Sequence, residues 1–294
     1  MKTLGEIGED SLISRLITLV PVADQTMEGP GDDCAVIDDG RSGFLLLKTD
    51  ALVEGVHYER SADPLAVGWK AIARVISDFA AMGGKPERFL VTVALPKSLQ
   101  LDWIENFYRG MGNCMSRYGA VLAGGETCRV PEGSAAVISI SATGSVSREQ
   151  LVLRSGGRSG DEIWVTGRLG GSISGKHLSF LPRVEQAAWL TGNFALSAMM
   201  DLSDGIASDL PRLAKASGCG FQIDEDAVPL NNGCTVQQAL TDGEDFELLF
   251  TLADSLGLPE SWRSIFPDIE LTRIGTLVAE NQGRELSGGW DHFS

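Results

Sequence analysis

Apolar positions cluster in short runs through the first half of the chain and recur at helical spacing between those runs. Phe44 to Asp50, Arg88 to Pro96 and Ala135 to Val146 are dense in Val, Ile, Leu and Thr, which predicts strands. A helix is predicted from about Pro64 to Met82, with Asp63 as N-cap, Pro64 at the first helical position and Gly83-Gly84 as the stop. Its residues Leu65, Trp69, Ile72, Ile76 and Phe79 return every three or four positions and are expected to face a core. A second helix, about Leu101 to Tyr118, repeats the pattern with Leu101, Ile104, Phe107, Met111 and Met115 before Gly119 ends it. Ser147 to Gly160 is rich in Gly, Ser and Arg and is followed at once by a strand-like run, Asp161 to Thr166. The expected fold class is therefore α/β (α+β) with two domains, residues 1–148 and 149–294. No internal repeat or low-complexity tract suggests a solenoid or propeller.

Composition adds limits. The 294 residues are 43% hydrophobic and 22% charged, ordinary proportions for a folded protein. Forty acidic against 24 basic side chains give a formal charge of -16, which argues against a nucleic-acid partner. The five cysteines, Cys34, Cys114, Cys128, Cys219 and Cys234, are odd in number and form no CxxC pair, so free thiols in a reducing cytoplasm are expected. The N-terminus has acidic residues where a signal peptide would be apolar, and no run of about 18 apolar residues points to a membrane span. A cytoplasmic location with no membrane partner is the expectation.

The acidic residues are grouped in a telling way. Gly31-Asp32-Asp33, Thr49-Asp50, Asp201-Leu202-Ser203-Asp204-Gly205 and Asp242-Gly243-Glu244-Asp245 each set carboxylates beside glycine at the ends of predicted elements. Gathered carboxylates repel, and oxygen ligands suit magnesium or calcium, although any one such motif also reads as a solvated turn. Asp78, in the last turn of the first helix, sits against the negative end of the helix dipole and needs a compensating cation. Arg74, four residues earlier, and a metal ion are the two options. Gly170 to His177 nearly spells a P-loop, but His177 stands where the magnesium-binding hydroxyl belongs. His57 and Trp290 are isolated, and three histidines in all, His57, His177 and His292, form no triad by spacing. The residues alone lead to an acidic, divalent-metal enzyme.

Taken in order, GDDCAVI, KTDALVEGVHY, ISDFAAMGG, AGGETCR, MDLSDGIASDL and TDGEDFELLFT resemble the thiamine-monophosphate kinase family, of the superfamily that includes aminoimidazole ribonucleotide synthetase. The likeness runs from Asp10 to the closing Gly289-Trp290-Asp291-His292-Phe293. It implies an N-terminal domain with a mixed sheet and helices that forms a homodimer through that sheet, a C-terminal α/β domain, and ATP bound near the interface. The implied reaction is in-line transfer of the γ-phosphoryl group of ATP to thiamine monophosphate with several Mg2+ ions, and no strong base, because the nucleophile is already a phosphate oxygen.

Position by position, the resemblance implies metal contacts at Asp33, Thr49, Asp50, Asp78, Asp201 and Asp204, with Asp32 and Glu126 beside them. It implies nucleotide contacts at Tyr108, Gly125, Glu126 and Ser203, phosphate binding at Arg154, and substrate contacts at His57, Glu244 and Trp290. Asp50, Arg154 and Asp204 would be the catalytic residues. Several positions depart from the family pattern: Glu126 replaces an aspartate, Lys48 a hydroxyl residue, Val75 an asparagine, Val130 a glycine and Asp242 a glycine. Lys48 would either supply a cation's charge or point away along its strand. These departures keep open a relative that binds nucleotide and metal without turnover, or an ATP-dependent superfamily cousin with another substrate.

Overall fold

Two five-stranded sheets carry the chain in a computed structural model, which describes residues 3–21, 29–38, 40 and 42–293. The first half contains helix α1 (Glu9–Leu16), strands β1 (Ala35–Ile37) and β2 (Gly43–Val53), helix α2 (Pro64–Ala81), β3 (Lys85–Leu95), α3 (Leu101–Arg117), β4 (Val121–Arg129) and β5 (Val137–Ser147). Its sheet has the order β1-β2-β5-β3-β4 and is mixed, since β3 and β4 pair in parallel while the other neighbours are antiparallel. The crossover through α3 is what allows that parallel pair.

The second half contains β6 (Glu162–Thr166), α4 (Val184–Asn193), β7 (Leu196–Asp201), α5 (Ile206–Ala216), β8 (Cys219–Ile223), α6 (Val236–Thr241), β9 (Leu248–Leu252), α7 (Leu258–Ile265) and β10 (Leu271–Ala279). Its sheet, β7-β9-β6-β10-β8, is antiparallel throughout. The helix and strand ends lie close to those expected from pattern. Asp63 does cap α2, its side chain accepting from the Leu65 amide, with Pro64 in the first turn.

The predicted inward stripes are shorter than the spacing suggested. Leu65 and Leu101 are exposed, whereas Ile72, Ile76, Phe79, Phe107, Met111 and Met115 are buried. Both exceptions sit in the first turn of their helices. The two helices meet closely because both carry glycine at the crossing. A methyl group added at Gly68 would lie 1.9 Å from the Phe107 carbonyl oxygen, and one at Gly110 would lie 1.9 Å from that of Leu65.

Helix α2 belongs to both halves. Its middle packs in the core under the first sheet, while Ala80 and Ala81 at its end join a cluster with Leu190, Phe250 and Trp262 of the second half. The first sheet is covered by helices on one face only. On the other, Leu47 and Leu90 are exposed, and Val121 and Leu122 are exposed on the edge strand β4. All five cysteines are free, and no described helix is long and apolar enough to cross a membrane.

Gly68→Ala is expected to destabilise the protein by about 1–3 kcal/mol or more through overpacking against backbone that cannot move aside. Gly112→Ala, on the same α3 where an added methyl meets nothing within 4 Å, should be neutral or stabilising. Parallel thermal melts check this, and equal midpoints for the two variants would contradict the packing.

Candidate active site

The loop before β1, strand β2, helix α2 and the segments after β7 and α6 converge on one cleft of about 880 Å³. Asp32, Asp50, Asp78, Arg154, Asp201, Ser203, Asp204, His57, Glu244 and Trp290 all line it. Asp33 lies just beneath, 1% exposed. The four acidic motifs, separate in sequence, therefore face a common space.

The deepest part is a carboxylate cluster. Asp33, Asp78 and Asp201 each place a carboxylate oxygen within 4.8 Å of the others, and all three are buried. Two cations and one hydroxyl hold them. Lys48 Nζ donates to Asp78 Oδ1 at 2.7 Å, Arg154 donates to Asp33, and Ser77 Oγ donates to Asp201 Oδ2 at 2.5 Å. The partner of Asp78 is thus Lys48 and not Arg74, which reaches across to Asp50 with Nη2–Oδ1 at 3.3 Å. Alternation along β2 explains this, because Leu46, Lys48, Asp50 and Leu52 share the face that meets α2. Lys48 is therefore directed into the cluster.

The cluster remains under-neutralised. Burial, followed by the charge of Asp33, pushes the Asp201 carboxyl up to about 7, and burial also raises Asp78. Burial, with Asp33 next to it, lifts Asp32 to about 6. Asp33 Oδ2 is buried with no hydrogen-bond partner. An orphaned anionic oxygen beside two further carboxylates fits a hard divalent cation with oxygen ligands, such as Mg2+. At the rim, Arg212 pairs with Asp204 and Asp209, and burial beside Asp204 pushes Asp209 to about 8.

A second polar cluster supports Glu244. Its carboxylate Oε2 lies 2.7 Å from Lys70 Nζ and 3.1 Å from His177 Nδ1, and Lys70 is fully buried. Burial alone would raise Glu244, but its contacts with His177 and Lys70 hold it down at about 2, so it stays ionised. The backbone here is strained: Glu244 and Phe246 have φ of 64° and 51°, uncommon for residues with a side chain. The Glu244 amide donates to the Ser203 carbonyl at 2.7 Å and that of Phe246 to Leu202 at 2.8 Å, which fixes the turn against the end of β7.

The glycines of the P-loop look-alike complete that support. The Gly170 amide donates to Asp245 at 2.8 Å and the Gly171 amide to Asp242 at 2.9 Å. These amides are thus satisfied by carboxylates of the chain itself. Asp242, a departure from the family pattern, thereby has a structural partner.

Aromatic rings close the outer wall. His57 lies 5.4 Å from His292 between ring centroids, and Trp290 meets His292 edge-on at 5.8 Å. Burial lowers His57 to about 4, so its ring is neutral near pH 7. The Val53 amide donates to Nδ1 at 3.0 Å, which leaves the proton on Nε2.

Thr49, Tyr108, Gly125 and Glu126 do not line the cleft. Thr49 points to the uncovered face of the first sheet, bonded to Ile140 and Ser141. Glu126 pairs with Thr92, Thr92 with Ser139 and Ser139 with Ala51, so three strand spacings, roughly 14 Å, separate Glu126 from the row beside Asp50. Within one chain these residues do not join the carboxylate cluster. Conversely, Lys70 and Arg212 hold or line the site without having been picked out in the sequence, and His177 and His292 had been weighed only as P-loop or triad positions. Their partners lie up to 174 residues away, and the one usable signal was a lysine on the buried side of α2.

Comparison with known proteins follows the same outline. The AIR synthase related protein, N-terminal domain, matches residues 31–146, and the corresponding C-terminal domain matches residues 158–286. The chain is 32% identical to the thiamine-monophosphate kinase of Aquifex aeolicus (strain VF5), with 100% of this chain and 99% of that protein covered. It is 34% identical to the thiamine-monophosphate kinase of Salmonella typhimurium (strain LT2), with 98% of each covered. The solved structure of AaThiL complexed with AMPPCP and TMP matches with a TM-score of 0.85 at 31% identity, over 99% of both chains.

Two outcomes are expected of the site. The raised values of Asp201 and Asp209 stabilise the fold below the unfolded carboxylate value of 3.8, and that contribution is lost as pH rises through about 7 and 8. His57 acts in the opposite sense only below 6.5. The thermal midpoint of metal-free protein should therefore fall between pH 6.5 and 8.5, and Mg2+ should raise it more at pH 8.5; a flat or rising midpoint would contradict the cluster. Lys70→Met should cost about 3 kcal/mol by stranding Glu244, with part recovered in Lys70→Met/Glu244→Gln. Denaturant titration reads both, and additive losses would show that the two residues do not interact.

Proposed function

Because the chain belongs to the AIR synthase related family and, by identity over its full length, to the thiamine-monophosphate kinases, we propose that it phosphorylates thiamine monophosphate to thiamine diphosphate with ATP. The observation that carries this reading is the convergence of the acidic motifs on one cleft whose other wall is the Glu244, His57 and Trp290 surface. Two polyanions must meet for the reaction, and the cleft offers a cation-demanding floor together with a wall suited to an organic cation.

Asp33, Asp78 and Asp201, with Asp32, Asp50 and Asp204 around them, would hold Mg2+. Bound there, Mg2+ would neutralise phosphate charge and align the attacking and leaving oxygens. The chain's own groups do the rest. Arg154, beside Asp33, presents a guanidinium suited to phosphate oxygens, and Arg74 and Arg212 supply further positive charge at the rim. No general base is required, since the γ-phosphoryl group moves in line to an oxygen that is already ionised.

On the substrate side, Glu244 is kept anionic by Lys70 and His177 and offers a counter-charge to the thiazolium ring. Trp290, 48% exposed on the cleft, gives an aromatic face for the same cation. His57 presents an Nε2 donor. Tyr108, Gly125, Glu126 and Thr49 lie away from the cleft, with Thr49 on the uncovered sheet face, which favours a homodimer formed through that face, where a second copy brings these residues to a nucleotide. The domain division at 148/149 is part of the same reading.

The deciding experiment incubates the protein with ATP, Mg2+ and thiamine monophosphate and quantifies thiamine diphosphate by chromatography, beside Asp50→Asn and Asp204→Asn. Product formation that falls at least 100-fold in both variants, each still folded by circular dichroism, is the expected result. No product from a protein that ATP and Mg2+ still stabilise against heat would instead favour a relative without kinase turnover. Consumption of ATP only with a formyl amidine or carbamoyl substrate would favour the superfamily cousin.

A further inference from the structure

Lys48 is the feature of the cluster that the proposed chemistry does not use. Its ammonium is 2.7 Å from Asp78 Oδ1, in a pair whose side chains are only 21% and 10% exposed. The lysine is delivered by a rigid element, because β2 is paired with β5 along its whole length from Gly43 to Val53. The ammonium thereby takes up a lone-pair site of Asp78 Oδ1. Asp78 Oδ1 is committed to an N–H donor, so an ion bound to that oxygen at about 2.1 Å would crowd a second cation against the ammonium.

Charge leads to the same place. Three carboxylates, Asp33, Asp78 and Asp201, face one ammonium and one guanidinium, those of Lys48 and Arg154. Asp33 Oδ2, beside this pair, is buried with no hydrogen-bond partner, so demand for a further cation remains. We propose that Lys48 is a tethered cation that permanently occupies one cation position of the cluster, so that the site takes up one divalent ion fewer than it would with a small hydroxyl residue at position 48.

This rests on the Mg2+-dependent reading given above, and metal stoichiometry separates the two. Lys48 is a positioning residue here, since it acts on phosphate through the carboxylates it holds. Mn2+ would be titrated into full-length protein with AMPPCP and the bound ion counted from loss of the free Mn2+ spin-resonance signal. Lys48→Ser should bind one more Mn2+ per chain than the unsubstituted protein, while Lys48→Arg, which keeps the charge, should bind the same number. Equal counts in the unsubstituted protein and Lys48→Ser would overturn the proposal and leave the metal reading intact. No bound Mn2+ in either would overturn both.

A second measurement needs no variant. Lys48 should stay as resistant to acetic anhydride, read by peptide mass spectrometry, with saturating Mn2+ and AMPPCP as without them. Acetylation ten-fold faster on metal addition would mean that an ion expels the ammonium, and the proposal would fail.

Discussion

Three carboxylates that repel one another, Asp33, Asp78 and Asp201, are held within 4.8 Å in a buried pocket, and the rest of the site is arranged around that cost. They arrive from three parts of the chain: the loop before β1, the end of α2 and the end of β7. Helix α2, packed into the cores of both halves, brings them together. The alanines at its end, Ala80 and Ala81, are small enough to let the second half approach, and the adjacent Ser77 and Asp78 are carried into contact with Asp201. Packing and electrostatics oppose each other at this point. The apolar cluster supplies the close approach, and Lys48, Arg154 and Ser77 offset part of the repulsion that follows.

The second polar cluster solves a different problem by the same means. Glu244 must remain ionised in a partly buried turn, and Lys70 together with His177 sets that state. Its backbone conformation is unfavourable for a residue with a Cβ, so neighbouring interactions must impose it. The amides of Gly170 and Gly171 on Asp245 and Asp242, and Arg183 with two 2.6 Å bonds to Glu247, clamp the following residues in place. A glycine-rich segment that looks like a phosphate loop serves here to hold a carboxylate-bearing turn.

Much of this was visible in the chain because it is encoded locally. Helix α2, its Asp63 cap and the strands of the first sheet follow from periodicity, capping and β-branched content, all properties of neighbours in sequence. The acidic motifs were visible too, since each is a few consecutive residues. What stayed hidden is pairing over distance: Lys48 with Asp78, Arg154 with Asp33 and Lys70 with Glu244 are separated by 30, 121 and 174 residues. For Asp78 the local rule pointed to Arg74, and strand alternation on β2 overruled it. The exposed ends of the inward stripes, Leu65 and Leu101, were likewise beyond reach, because periodicity gives a face but not how much of its length is covered.

The cation pairs also bear on how a ligand enters. Asp50, Asp33 and Asp204 each hold an arginine, respectively Arg74, Arg154 and Arg212, and these pairs line or underlie the same cleft. In the proposed reaction the guanidinium of such a pair would turn to phosphate oxygens and the carboxylate to the incoming cation. Lys48 is the exception. Its ammonium lies against the floor carboxylate Asp78 on a fully paired strand, where exchange would require the carbon chain of the lysine to leave a packed face. The arginines are thus placed to trade partners, and the lysine is placed to stay.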